Sequence, residues 1–306
     1  MGLRKFLIIT TALSFLLSTL APANANNPPR KILSGWLPDY SLARNLPTVE
    51  GNLDLIRDIS PFWYGLTGEN SIKDKYALGK YTTPKEQVIA RLKANGILLL
   101  PTITDDNKKF VLANLLANPT SRSNIVQTIK GQVLKHNYDG IDLDFETFYT
   151  QDGRSSWAAL KPNWIAFIKE LSTALHDQGK LLSVTTPPDF APETKRAGNW
   201  VYSWAEIGPL IDRLRIMAYD FSTRSPGPIG PLPWTEDGVK YAITQMPASK
   251  VFLGIPGYGR DWITKVEGVC PKDFTSSVVV GAKAAVVMRE APNLAASNNA
   301  IPTYNT

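Results

Sequence analysis

The run Asp139-Gly140-Ile141-Asp142-Leu143-Asp144-Phe145-Glu146 alternates acidic with apolar residues. A period of two marks a β-strand, because successive side chains point to opposite faces. Asp142, Asp144 and Glu146 therefore share one face, with successive Cα atoms along it roughly 6.7 Å apart. Ile141, Leu143 and Phe145 share the other. The simple alternative is an acidic strand facing water. In a parallel sheet covered by helices neither face is solvent, which argues against it. Three carboxylates stacked in an interior repel one another, so at least one is expected to hold a proton at neutral pH. One proton donor beside one group that stays ionised is what glycosidic cleavage requires. Asp-x-Asp-x-Glu could also hold Mg²⁺ or Ca²⁺, but no phosphate-binding loop accompanies it.

The surrounding sequence predicts where this strand sits. Short apolar runs read as strands at Ile32–Trp36, part of Leu53–Tyr64, Ile97–Thr104, Gly140–Phe145, Leu181–Thr186, Leu214–Tyr219 and Val251–Ile255. Helical patterns lie between most of them. Thr83-Pro84-Lys85-Glu86 reads as a helix start with Thr83 as cap, and Gly96 stops that helix near Ala94. A second helix is expected from Ser123 to His136. Trp164, Phe167, Ile168, Leu171 and Leu175 line one face of a third, and Gly179 follows it as a cap. Ala205–Ile211, Gly238–Gln245 and Ser276–Glu290 are further helical stretches.

Repeated strand–helix units imply parallel strands with right-handed crossovers. A doubly wound sheet would place a Gly-rich phosphate turn after the first strand, and Gly35-Trp36-Leu37-Pro38-Asp39 is not one. Polar and aromatic residues gather instead at the C-terminal ends of several strands, where a barrel builds its active site. The expected fold is an α/β TIM (β/α)8 barrel. Seven strands are recognisable by Ile255 and no eighth follows, so the chain reads as C-terminally truncated. An open barrel would leave its first and seventh strands as unpaired edges.

Residues 1–25 are expected to be a signal peptide. Arg4 and Lys5 precede an apolar run from Phe6 to Leu20, then Ala21-Pro22-Ala23-Asn24-Ala25. Fifteen apolar residues fall short of the roughly 20 that a spanning helix needs. Cleavage after Ala25 would leave residues 26–306 as the catalytic barrel and lower the formal charge from +6 to +4. The protein is then expected to be secreted, extracellular or associated with the cell wall, monomeric, and free of the membrane. Its basic residues are scattered with no run of five, which argues against nucleic acid as partner. The single cysteine, Cys270, excludes a disulfide framework and reads as a small buried residue.

Several motifs together resemble glycoside hydrolase family 18, the chitinase-like barrels. Asp139 to Glu146 is similar to the family's fourth-strand signature. Met217-Ala218-Tyr219-Asp220 resembles its sixth-strand motif, and Leu253 to Arg260 its seventh strand. Pro226 to Trp234 is similar to the loop after strand six in the subgroup named for spore germination and cortex lysis, whose members cleave N-acetylglucosaminyl bonds in peptidoglycan. The resemblance covers about residues 31 to 306. It implies a glycosidase with no cofactor and no metal, acting on an N-acetylglucosamine-containing glycan, peptidoglycan or chitin.

By the same resemblance Glu146 is the general acid and later the base on water. The substrate's 2-acetamido oxygen takes the place of a carboxylate nucleophile. Asp144 orients the acetamido group and stabilises the oxazolinium ion. Asp142 shares a proton with Asp144. Tyr219 holds the acetamido oxygen, Asp220 tunes Tyr219 and contacts the sugar, and Met217 lines the pocket. Tyr258, Arg260, Trp36, Trp63 and Trp234 stand at strand ends or in the loops after them and are expected to bind sugar. Trp200 and Trp262 are placed similarly, whereas Trp157 and Trp164 read as packing residues.

Two departures from the family are visible. Strand three reads Leu99-Leu100-Pro101-Thr102-Ile103-Thr104-Asp105-Asp106 in place of the chitinase Ser-x-Gly-Gly motif. No residue can be assigned to the tryptophan of the family's eighth strand. A chitinase acting on oligosaccharides and a non-catalytic sugar-binding barrel stand as alternatives. The latter usually lacks the acid, which Glu146 supplies. His136 and His176 fall near the opposite rim, and no Ser-His-Asp or His-Glu-x-x-His arrangement is evident. Arg215 shares parity with Met217 and Tyr219. It is expected to point into the barrel and pair with a carboxylate, Asp142 first, unless it snorkels to the rim.

Overall fold

The computed structural model describes residues 33–79, 81–263, 265, 268, 283–301 and 303. Strand β1 (Leu33–Pro38) leads through helix α1 (Leu42–Glu50) to β2 (Ile56–Phe62). After a break at Trp63, β3 (Tyr64–Gly68) continues the line and folds back into the antiparallel β4 (Ser71–Asp74). Helix α2 (Lys85–Ala94) precedes a strand in two pieces, β5 (Leu98–Leu99) and β6 (Thr102–Asp105). They part at Leu100-Pro101, where proline has no N–H to give to the ladder. Helices α3 (Val111–Ala117) and α4 (Pro119–Lys135) lead to β7 (Gly140–Asp144), and α5 (Trp157–His176) leads to β8 (Leu181–Thr186). The short α6 (Trp204–Ile207) precedes β9 (Arg213–Ile216), and α7 (Leu232–Gln245) precedes β10 (Val251–Leu253). An antiparallel hairpin of β11 (Tyr258–Trp262) and β12 (Lys283–Val287) follows, then α8 (Ala291–Ser297).

Read as continuous lines, β2 with β3 and β5 with β6 are single staves. Seven parallel staves then lie side by side in chain order, from β1 to β10. This is an α/β fold with helices packed outside the sheet. Among the described residues no ladder joins β10 back to β1, and Leu33 and Leu253 on these edges are exposed.

Each of the seven expected strands is present. Helix α4 starts earlier than its expected Ser123. The Asn118 side chain caps it by accepting from the Thr120 and Ser121 N–H groups, and Pro119 takes the first turn. Thr83 is not the cap of α2; its carbonyl accepts the Tyr76 hydroxyl at 2.5 Å. The expected helix Ser276–Glu290 is corrected. Residues 276–282 lie outside the described set, and 283–287 form β12. Its backbone is paired with β11, and that pairing outweighs the helix preference of its alanines. The expected signal peptide and Cys270 also lie outside the described residues.

Strand β7 is anchored on both sides. Ile141, Leu143 and Phe145 are buried outward against the helices. The Phe145 ring lies 6.1 Å from Phe167 and 6.3 Å from Trp164, both on α5. Below the strand, Asp139 pairs with Lys93 at 3.0 Å and accepts the Leu99 N–H at 2.9 Å. The acidic face is therefore held inward by packing on its opposite side.

Candidate active site

The sheet register builds the inner surface. Thr102 and Thr104 lie beside Asp142 and Asp144, Ser183 lies beside Asp142, and Thr185 lies beside Arg215. These residues share inward parity, so a layer of hydroxyls surrounds the carboxylate column. Asp142 is fully buried, Asp144 is almost so, and Glu146 is half-buried beyond the end of β7. Asp144 Oδ1 is buried and has no hydrogen-bond partner.

Above Asp142 opens a cleft of about 760 Å³. Asp144 and Glu146 line it together with Trp36, Met217, Tyr219, Asp220, Trp234 and Tyr258. Eight of the residues singled out by sequence therefore meet there, from four different staves and the segments after them. Two local features place Tyr219. Asp220 has φ 59°, a left-handed conformation that Asp tolerates better than most residues, so the chain turns sharply after the stave. Gly254 on the neighbouring stave leaves room for the ring, since a Cβ there would lie 2.7 Å from the Ile216 carbonyl and 3.1 Å from Tyr219. Tyr258 meets Tyr219 edge-on with ring centres 6.2 Å apart.

Two expected placements are corrected. Trp63 does not reach the cleft. It is fully buried at the break between β2 and β3, edge-on to Tyr76 at 5.0 Å. Arg260 lines a neighbouring cavity between the β11–β12 hairpin and α8, and touches the site through its ion pair with Asp220. Asp142 lies beneath the cleft and is surrounded by hydrogen-bond donors. Tyr149 is a residue that sequence reasoning missed. A π-helical turn, Phe148–Asp152, brings its hydroxyl back to donate to Glu146 Oε2 at 2.6 Å. No side-chain periodicity signals such a turn, which is rare and recurs at functional sites.

Arg215 points inward as parity predicts and is 2 % exposed. Its nearer carboxylate is Asp58, at 3.0 Å, with Asp142 at 3.4 Å. Arg213 reaches the other Asp58 oxygen at 2.9 Å. Asp58 was legible in principle, because it shares parity with Ser60 in a predicted strand. His176 lies near the opposite end of the staves, between Asp212 at 2.9 Å and the Ser172 hydroxyl at 3.3 Å. This is a Ser-His-Asp grouping that the sequence did not reveal. The buried Ser172 donates its proton to the Leu210 carbonyl at 2.6 Å, so it is no nucleophile.

The electrostatics follow from burial. Asp144 keeps its proton far above the ordinary carboxylate range, first because it is desolvated, then because Glu146 and Asp142 are negative neighbours; Lys75 opposes the shift. The Tyr219 hydroxyl is pushed up by burial and by Asp144, and stays a donor. A raised pKa in the folded state means that the folded protein keeps a proton which the unfolded chain releases. The stability tied to Asp144 is thus complete below the ordinary carboxylate pKa and is lost as pH rises through the raised one. Asp144→Asn, with no proton to lose, is expected to flatten that decline and to exceed the wild type in stability at alkaline pH. Coincident profiles of melting temperature against pH would contradict it.

A row of parallel staves carrying stacked carboxylates and aromatic walls above them defines a barrel-type glycosidase site. The sequence matches the family described as Glycosyl hydrolases family 18 over residues 60–300, and the chain belongs to that family. It is similar to the cortical fragment-lytic enzyme of Bacillus anthracis, 25 % identical over 256 residues, covering 80 % of this chain and 56 % of that protein. The chain spans only part of the curated relatives it matches, 34 % in the case of a Bacillus subtilis glycosylase. In fold it resembles a chitinase from Chromobacterium violaceum ATCC 12472, with TM-score 0.71 and 21 % identity, covering 89 % of this chain and 79 % of that one. It equally resembles the spore cortex-lytic enzyme SleL of Bacillus megaterium QM B1551, with TM-score 0.72 and 19 % identity, covering 92 % and 61 %.

Proposed function

We propose that the protein is a secreted glycosidase that cleaves β-1,4 N-acetylglucosaminyl bonds in peptidoglycan, with the substrate's 2-acetamido oxygen as nucleophile and retention of configuration. The observation that carries this reading is the pairing of a proton-holding, nearly buried Asp144 with the accessible Glu146 beside Tyr219 in one cleft. Glu146 gives its proton to the glycosidic oxygen as the C1–O bond breaks. The acetamido oxygen closes on C1 and forms an oxazolinium ion. The free Oδ1 of Asp144 accepts the acetamido N–H, and the Tyr219 hydroxyl donates to the acetamido oxygen. Glu146, now a carboxylate, takes a proton from water, which attacks C1 from the face the leaving group vacated. Trp36 and Trp234 offer ring faces for sugar. The names of cortex-lytic relatives favour peptidoglycan, and the leader-like composition of residues 1–25 supports secretion.

The test compares peptidoglycan strands, chitin oligosaccharides and cello-oligosaccharides as substrates. Only the first two carry the 2-acetamido group. Cleavage restricted to them, with the first-formed product in the β configuration, is expected. Equal cleavage of cello-oligosaccharides rejects acetamido participation, and chitin cleaved in preference to peptidoglycan moves the substrate to chitin.

A further inference from the structure

We propose that Arg215 is a positioning residue for this reaction. By bridging Asp58 to Asp142 inside the sheet it keeps Asp142 a fixed anion and leaves Asp144 as the proton carrier of the pair. The inference rests on the reading above and assigns a task to a charged cluster that the cleft chemistry does not itself use.

Four charged side chains meet below the cleft. Arg215 Nη2 lies 3.0 Å from Asp58 Oδ1 and donates to Ser34 Oγ at 3.0 Å. Its Nη1 donates to Ser60 Oγ and lies 3.4 Å from Asp142 Oδ2. Arg213 closes on the second Asp58 oxygen. Two guanidiniums thus face two carboxylates, and the cluster is neutral only when both carboxylates are ionised. A guanidinium does not release its proton in a protein, so this requirement is constant across the working pH range.

The remaining contacts of Asp142 agree. Its Oδ1 accepts from Ser183 at 2.6 Å and Thr185 at 3.0 Å. Its Oδ2 accepts from Thr102 at 2.9 Å and from the Trp36 indole at 3.3 Å. An indole N–H and a guanidinium can only donate. Oδ2 is therefore engaged as an acceptor, and the two hydroxyls at Oδ1 are free to donate to an ionised carboxylate. The Arg215 guanidinium also lies 5.6 Å from the centre of the Trp36 ring, so the same cation supports a wall of the cleft.

The charged groups around the pair are few. Arg215 faces Asp142 from the sixth stave, and Asp58 on the second stave and Arg213 on the sixth join the cluster through the Asp58 carboxylate that both arginines share. Glu146 and Asp142 act on Asp144 from its own strand, and Lys75 acts on it from the segment after β4. The Tyr219 phenol adjoins Asp144 from the sixth stave. A fixed negative charge on Asp142 holds the proton on Asp144, where it steadies the acetamido group before bond cleavage.

The test follows the side-chain carboxyl carbons of ¹³C-aspartate-labelled protein by NMR at neutral pH. Signals are assigned with Asp142→Asn and Asp144→Asn. In the wild type Asp142 is expected at the ionised shift and Asp144 at the protonated shift. In Arg215→Met the proton is expected on Asp142, and kcat falls by about 10²-fold with KM little changed, the scale of a misplaced catalytic group. Arg215→Lys keeps the charge and is expected to restore the ionised Asp142 signal. Should Arg215→Met not fold, Arg215→Gln removes the charge while its amide can still donate to the neighbouring Ser34 and Ser60, and it is expected to show the same protonated Asp142. A protonated Asp142 in the wild type, or an ionised one in either uncharged variant, overturns the role of Arg215. The NMR readout needs no substrate, so failure to cleave any glycan overturns the proposed function without touching this result.

Discussion

Glu146→Gln is expected to lower hydrolysis by about 10²–10⁴-fold, the contribution of a positioned general acid, while glycan binding persists. Glu146 is the carboxyl of the column that has both exposure and a place in the cleft; Asp142 is sealed beneath and Asp144 is nearly so. On the proposed mechanism the leaving oxygen therefore takes its proton from Glu146. Glutamine keeps the shape, and its carbonyl can still accept the Tyr149 hydroxyl that now meets Oε2 at 2.6 Å. What it lacks is an acidic proton. Binding can be followed by quenching of Trp36 and Trp234, which line the same cleft. A variant that hydrolyses at near wild-type rate removes Glu146 from its role.

The second large effect is on stability. Asp58→Ala is expected to destabilise the fold by about 3–5 kcal/mol, because it strands partners of a buried ion pair. Asp58 is fully buried and is the carboxylate that Arg213 and Arg215 share, at 2.9 and 3.0 Å. Its loss takes from Arg213 the carboxylate it meets and leaves Arg215 with Asp142, at 3.4 Å. The urea midpoint measures the effect, and a loss under about 1 kcal/mol would place the pair among weakly coupled surface bridges. Removing a cation at the same time, as in Asp58→Asn with Arg213→Met, is expected to recover part of the loss.

The legibility of this site was uneven for physical reasons. The carboxylate column could be read because strand period is strictly two, and Ile141, Leu143 and Phe145 on the opposite face demanded helix packing. The inward course of Arg215 followed from the same parity with Met217 and Tyr219. Its preferred partner did not, since Asp58 lies 157 residues away and only the closing-in of distant staves brings them together. Trp63 was misjudged because a strand-end tryptophan can turn to the cleft or to the core. The break before β3 turns it to the core, against Tyr76. Tyr149 was invisible because a π-helical turn obeys no amphipathic pattern. The expected helix over 276–290 failed where β12 found a hydrogen-bonding partner in β11.

By itself the sequence determined the seven parallel staves, the face that carries Asp142, Asp144 and Glu146, and membership of a glycosidase family through motifs spread along the chain. These are local matters, set by periodicity and residue type. Only the tertiary structure decided which acid is sealed, which keeps a proton and which meets the cleft. Those states depend on burial and on charges delivered from other staves, Asp58 and Arg215 above all, and no short stretch of sequence contains them.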